Sequence, residues 1–247
     1  DLLKNNPRYE LIEADHTEDF NRLIKKHYVL PTLSIGAKNA MMHYKFKSIK
    51  TYTLLENIDY SSPYNSFNNS WYLNYYGWLE YQPFKSISFN GELMFYTIGY
   101  FRHLAVKSTG GYVNYTENLT FIELPIYLKK SFQKRNFLYN FYGGFGYLYM
   151  TKSMASVSIT DVNWKITSYA SNIDVISQRK INNFEWFAGG SIGYRLKNFR
   201  INFDMRYFGG LNNLVEASSR SDNPTDPDLW RLVNVYNYVD NDFRFNK

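Results

Sequence analysis

The chain has 247 residues, a net charge of +6 and no cysteine, with aromatic residues at 19% and a negative mean hydropathy of −0.45. No run of eighteen apolar residues occurs, which excludes a membrane-spanning helix. The basic residues are scattered without forming a patch, so the charge does not point to nucleic acid. A soluble α/β core would draw on Leu, Ile, Val and Ala, whereas the 24 Tyr and 19 Phe here fit a wall in which every second residue is apolar and aromatics ring the interfaces.

Residues 1–27 read as a separate periplasmic segment that carries a short amphipathic helix. Glu18 to Lys26 has apolar residues at spacings of three and four, with acids in its first turn and lysines in its last. It is expected to lie under the barrel mouth, to plug the lumen, or to dock a partner. From residue 28 to 247 the pattern is strands. The first runs from about Tyr28 to Phe46, with Leu33, Ile35 and Ala37 on one face and Ser34, Gly36 and Lys38 on the other. A polar loop at 47–66 precedes the second strand, 67–82, where Trp71, Leu73, Tyr75 and Leu79 oppose Asn74, Tyr76 and Glu80. In the third, 86–103, Ile87, Phe89, Leu93 and Phe95 oppose Ser88, Asn90, Glu92 and Tyr96. The fourth, 113–132, sets Ile122, Leu124, Ile126 and Leu128 against Phe121, Glu123, Tyr127 and Lys129, and its Pro125 predicts a bulge or an edge because proline gives no ladder donor. The fifth, 137–152, shows Phe137, Tyr139, Phe141, Phe145 and Tyr149 opposite Asn140, Gly144 and Gly146.

After an irregular stretch at 153–182 comes the clearest signal in the chain. Phe184, Trp186, Ala188, Ile192 and Tyr194 alternate with Glu185, Gly189, Ser191, Gly193 and Arg195. Beyond the two-residue turn Lys197-Asn198, Phe199 to Tyr207 alternates without a break. A loop at 210–234 leads to an eighth strand starting near Val235. This strand stops at the polar Asn246-Lys247, where a barrel's last strand normally ends in aromatics, so either the strand is expected to be cut short or the chain to be part of a longer protein. Connections alternate between long and short, as in eight-stranded transmembrane barrels with tight periplasmic turns, extracellular loops and periplasmic termini. The fold expected is all-β, an eight-stranded antiparallel transmembrane β-barrel with a short N-terminal periplasmic helical segment.

The polar face gathers Lys38, Glu80, Glu92, Glu123, Lys129, Glu185, Arg195, Arg200, Asp204 and Arg206, five acids and five bases, together with several glycines suited to a crowded interior. An eight-stranded barrel holds side chains inside and little more. These charges are therefore expected to form a lumen ion-pair network, with a Glu-Arg-Asp-Arg ladder across strands six and seven, and no open pore. Trp71, Phe89, Phe141, Phe145, Trp186 and Phe203 are expected to face lipid.

Phe121-Ile122-Glu123-Leu124-Pro125-Ile126-Tyr127-Leu128-Lys129 resembles the Glu-Leu/Ile-Pro strand of the PorT-like outer-membrane β-barrels of Bacteroidota. Phe141 to Leu148, Ala188 to Tyr194 and Arg206 to Leu211 are similar to the Gly-rich and Arg-Tyr-x-x-Gly-Leu segments of that family. The resemblance covers residues 28–247. It implies an outer-membrane barrel, in a family of which some members serve the type IX secretion system, and it brings no catalytic residues.

The four histidines, His16, His27, His43 and His103, have no metal-ligand spacing, and the Asp222–Asp228 cluster lacks the regular ligand order of a calcium loop, so no cofactor and no metal are expected. The function expected is a non-enzymatic structural or accessory subunit of an outer-membrane complex, a secretion or biogenesis machine of the type IX kind. Its partners would be the lipid bilayer, lipopolysaccharide and other outer-membrane or periplasmic proteins. Two other readings stay open. One is a free-standing surface barrel whose long loops bind an external ligand. The other is a lipid or peptide hydrolase at the outer rim, with His43 and His103 beside Ser108, Asp59 or Asp161.

Overall fold

Alternation of large and small, apolar and polar side chains leaves each segment two unlike faces, and pairing the segments edge to edge gives a wall with an inside and an outside. The computed structural model of the chain describes residues 31–50, 70–105, 111–163, 165–196, 199–216, 218 and 242–247. The N-terminal segment 1–27 with its predicted helix, most of the first and last long loops, the Asp222–Asp228 cluster, Ser108, Asp59, and the start of the last strand near Val235 lie outside the described residues.

The strands are β1 (Thr32–Lys50), β2 (Ser70–Phe84), β3 (Ile87–Ala105), β4 (Tyr112–Lys134), β5 (Phe137–Thr160), β6 (Ile166–Asp174), β7 (Asn182–Leu196), β8 (Phe199–Gly210) and β9 (Asp242–Asn246). Antiparallel pairing runs β4-β3-β2-β1-β9-β8-β7-β5, and β4 also pairs with β5, so eight strands close a ring. β6 is a flap that pairs with the far end of β5 from Met154 to Thr160, above the point where β7 leaves β5 at Tyr149↔Asn182. β9 is short. It meets β1 from Lys45 to Lys50 and β8 at Gly209, and nearer the turns β1 and β8 have no described strand between them.

Three segments depart from the sequence expectation. Residues 47–50 continue β1 rather than opening a loop. The stretch 153–182 contains the end of β5, all of β6 and one turn of 3-10 helix, Ile176–Gln178. Pro125 produces neither a bulge nor an edge: it pairs with Gly146, and the β3–β4 register is the same on either side of it. The bulge falls instead at Thr151, which has no opposite number as Thr120↔Lys152 gives way to Phe121↔Met150. One extra residue exchanges the two faces of a strand. Before Thr151 the buried positions of β5 are even (Tyr142, Leu148, Met150), and from there to Val157 they are odd (Ser153, Ala155, Val157).

The wall changes character along its height. On β4 the outward residues nearest the turns are Ile122, Leu124, Ile126 and Leu128, whereas nearer the loops they are Asn114, Thr116, Asn118 and Thr120. The inward side inverts in step, from Glu123, Tyr127 and Lys129 to Val113, Tyr115, Leu119 and Phe121. An outward apolar band of about ten residues is what a strand needs to cross a bilayer with tilt. The remaining wall is built like a water-soluble barrel, and its core includes Tyr44, Phe46, Tyr96, Tyr100, Phe121, Phe243 and Phe245. At the loop end large aromatics fill the lumen.

Candidate functional site

Strand parity points the charged residues of six strands into one lumen, where they meet across it rather than along the sheet. Near the turns, Glu92 of β3 is the shared anion. Its carboxylate accepts from Lys38 Nζ at 2.7 Å, from Arg206 Nη1 at 2.9 and 2.8 Å, and from the Tyr127 hydroxyl at 2.7 Å. Arg206 Nε also reaches Asp204 Oδ1 at 3.1 Å, and the guanidinium lies over the rings of Tyr127 and Tyr142, 5.2 and 4.8 Å from their centroids. Lys129 Nζ holds Glu80 at 2.6 Å. Deeper in, Lys247 Nζ sits between Glu123 and Glu185 Oε1, the latter at 3.0 Å, and the Tyr96 hydroxyl donates to Glu123.

Of the expected ladder across β7 and β8, the Asp204–Arg206 contact is present, and the other described members have partners elsewhere. Glu185 is paired with Lys247, and Arg206 is paired with Glu92 on the opposite wall as well as with Asp204. Arg195 and Arg200 stand opposite each other in the register, and their side chains lie outside the described residues. On the outer surface, Trp71, Phe89, Phe141, Phe145, Trp186 and Phe203 are all exposed, between 41% for Trp186 and 68% for Phe145. Gly146 and Gly189 hold a close approach. A Cβ on Gly146 would lie 2.9 Å from Glu185 Oε1, and one on Gly189 would lie 2.6 Å from the Tyr142 ring.

A second buried network, which the sequence reading missed, closes the loop end. Arg179, from the segment between β6 and β7, donates from Nε and Nη2 to the two oxygens of Glu117 at 2.7 and 2.6 Å. The same carboxylate accepts from the hydroxyls of Tyr100 at 2.5 Å, Tyr115 at 2.7 Å and Ser153. Both charged side chains are 0% exposed. Glu117 has the parity of Glu123 on the same strand, so its inward direction was readable. Arg179 stands in an irregular stretch where no period assigns a direction.

His43 and His103 both stand on the outer face, on β1 and β3, with β2 between them. His43 packs on Trp71 at 4.7 Å, while His103 stacks on Tyr112 at 4.2 Å and hydrogen-bonds Asn114. Asp161 accepts from the backbone of Asn163 and Lys165 and so caps its own turn. Among the described residues, no cluster of His, Asp or Glu is placed to hold a metal ion. At the turn end a cavity of about 1740 Å³ opens, lined by residues that include Ser34, Gln82, Lys85, Gln133, Arg135 and Asn202, with Tyr127, Tyr142 and Arg206 deeper in, and it continues sideways between β1 and β8 to Trp71 and Phe203 on the outer face.

The family profile described as "Outer membrane protein beta-barrel domain" matches residues 32–216. Comparisons with curated proteins and with solved structures each return no match.

Proposed function

Because this chain belongs to the outer membrane protein β-barrel domain family, we propose that it is a non-conducting structural or accessory subunit of a larger outer-membrane assembly. In this reading the turn end faces the periplasm and the loop end faces outward. The observation that carries it is the loop-end closure: the fully buried Glu117–Arg179 pair stands within a packed apolar core, and the remaining cavity opens at the turns. A barrel that passes nothing along its axis acts through its walls and its two ends. The similarity of Phe121–Lys129 to the PorT-like strand directs the search for companions first to secretion machines of the type IX kind.

The test is to tag the chain in its native host, extract it in mild detergent, weigh the particle and identify what accompanies it. A particle much heavier than one chain with its detergent, with defined companions, is the expected result. A particle of one chain plus detergent would overturn the subunit reading. Current steps of porin size in planar bilayers would overturn the non-conducting part.

A further inference from the structure

The cavity at the turn end has a cationic mouth and, among the described residues, no anion to match it. Lys85 of the β2–β3 turn and Arg135 of the β4–β5 turn line it and are exposed, and among the described residues neither is paired with a carboxylate. The third turn, Arg195-Leu196-Lys197-Asn198-Phe199-Arg200, adds basic residues and no acid in sequence. Inside the mouth the charges are already committed: Glu92 and Asp204 hold Lys38 and Arg206, and Glu80 holds Lys129. The surplus charge is therefore at the rim.

The chain enters β1 at this same end, at Pro31-Thr32, where Thr32 pairs with Gln82 just before the first turn. Ahead of it, residues 1–30 hold six acids and five bases, with Arg22, Lys25 and Lys26 nearest β1 and the acids gathered before them. Between Tyr9 and Asn21 the sequence carries Glu10, Glu13, Asp15, Glu18 and Asp19 and no lysine or arginine, with Leu11, Ile12 and Phe20 as apolar company. We propose that this acidic stretch, residues 10–19, docks into the turn-end cavity of its own barrel, its carboxylates meeting Lys85 and Arg135.

Size, reach and charge agree. A helix about 11 Å across rises about 1.5 Å per residue, so each residue fills about 140 Å³. On that measure the whole cavity of about 1740 Å³ equals roughly a dozen residues, with part of the volume lying in the gap between β1 and β8 beside Trp71 and Phe203. From Asp19 to Pro31, with the expected helix Glu18 to Lys26 at about 1.5 Å per residue and the rest extended at up to ~3.3 Å, the chain reaches about 27 Å. A tether that short holds the acidic stretch at an effective concentration of the order of millimolar, so a modest attraction keeps it docked. Coulomb attraction at an exposed rim is screened by salt, and the docking weakens as ionic strength rises. Docking is internal to the chain and holds whether or not the barrel has companions.

The absence of cysteine makes the test direct. In the full chain, Ala14→Cys is combined with Gln133→Cys at the mouth or, as control, with Val162→Cys at the loop end. Mild oxidation follows in phosphatidylcholine vesicles, after folding has been verified by heat-modifiable gel mobility. A disulfide needs the two Cα atoms within about 7 Å. The expected result is an intrachain cross-link of Ala14→Cys to Gln133→Cys at least tenfold faster than to Val162→Cys. High salt, or glutamine at Lys85 and Arg135, should slow it severalfold. Equal rates at the two positions, cross-links formed only between chains, or indifference to both salt and the glutamine variant would each overturn the proposal. If phosphatidylglycerol vesicles abolish a cross-link that phosphatidylcholine permits, lipid phosphate holds the collar and the proposal fails.

Discussion

Arg179 lies in the segment joining β6 to β7, yet its guanidinium is fully buried against Glu117 and lies over the ring of Phe243, 5.5 Å from its centroid. Removing one member of such a pair strands a charge where water cannot reach it, at a cost of about 3–5 kcal/mol. Replacing both with apolar residues of similar volume is often neutral. Arg179→Ala should therefore lower the urea midpoint strongly, and Arg179→Met combined with Glu117→Leu should recover part of the loss, the hydroxyls of Tyr100, Tyr115 and Ser153 then lacking their acceptor. Equal midpoints for the single and double variants would show that packing of the loop segment, not the charge pair, sets the stability. The network near the turns is a different case, because Asp204 and Lys38 border the open cavity and are partly hydrated, their side chains 42% and 31% exposed.

At the scale of single strands, Thr151 fixes which residues face inward over the last third of β5. It is exposed, and its hydroxyl donates to the Thr120 carbonyl at 3.3 Å. Deleting it would turn Lys152, Met154 and Ser156 toward the apolar core and Ala155 and Val157 toward water. Deletion of Thr151 is expected to abolish the compact, heat-modifiable form on gels, whereas Thr151→Ala, which keeps the count, should leave it intact. The bulge also explains where the sequence could be read and where it could not. Phe199 to Tyr207 and Ile122 to Lys129 show their two faces because their parity is constant and their outer face is apolar. Beyond Thr151 the parity flips, and in the same stretch the outer face becomes polar, so the alternation that identifies a membrane strand disappears while the strand continues. β6, short and paired on β5 alone among the named strands, was hidden for the same reason. The lumen charges on regular strands could be assigned a direction from parity, but their partners could not, because partnership across a lumen depends on which strands stand opposite after closure. Lys247 joins Glu123 to Glu185 in a way no local pattern encodes.

For the whole molecule, the apolar band and the polar wall above it predict how cost varies with depth. An arginine facing lipid near the middle of a bilayer costs about 2–4 kcal/mol and close to nothing near an interface. Ile126→Arg should destabilise the folded barrel in vesicles by that larger amount, and Thr116→Arg, ten residues away on the same outward parity of β4, by less than ~1 kcal/mol. Equal costs at the two sites would mean that the polar wall is also in contact with lipid.

The reversal of polarity along β4 and β5 bears on how the barrel reaches its membrane. The loop-end half has a core suited to water and an outer face with little affinity for hydrocarbon, so it can collapse before any bilayer is met. If the turns remain on the side from which the chain approaches, this half must then pass through the bilayer as a polar surface. Micelles impose no such passage, since detergent gathers around the apolar band where it stands. Refolding from urea should therefore proceed well into micelles and poorly into preformed vesicles. Comparable yields in the two would show that the upper half takes shape only after it has crossed.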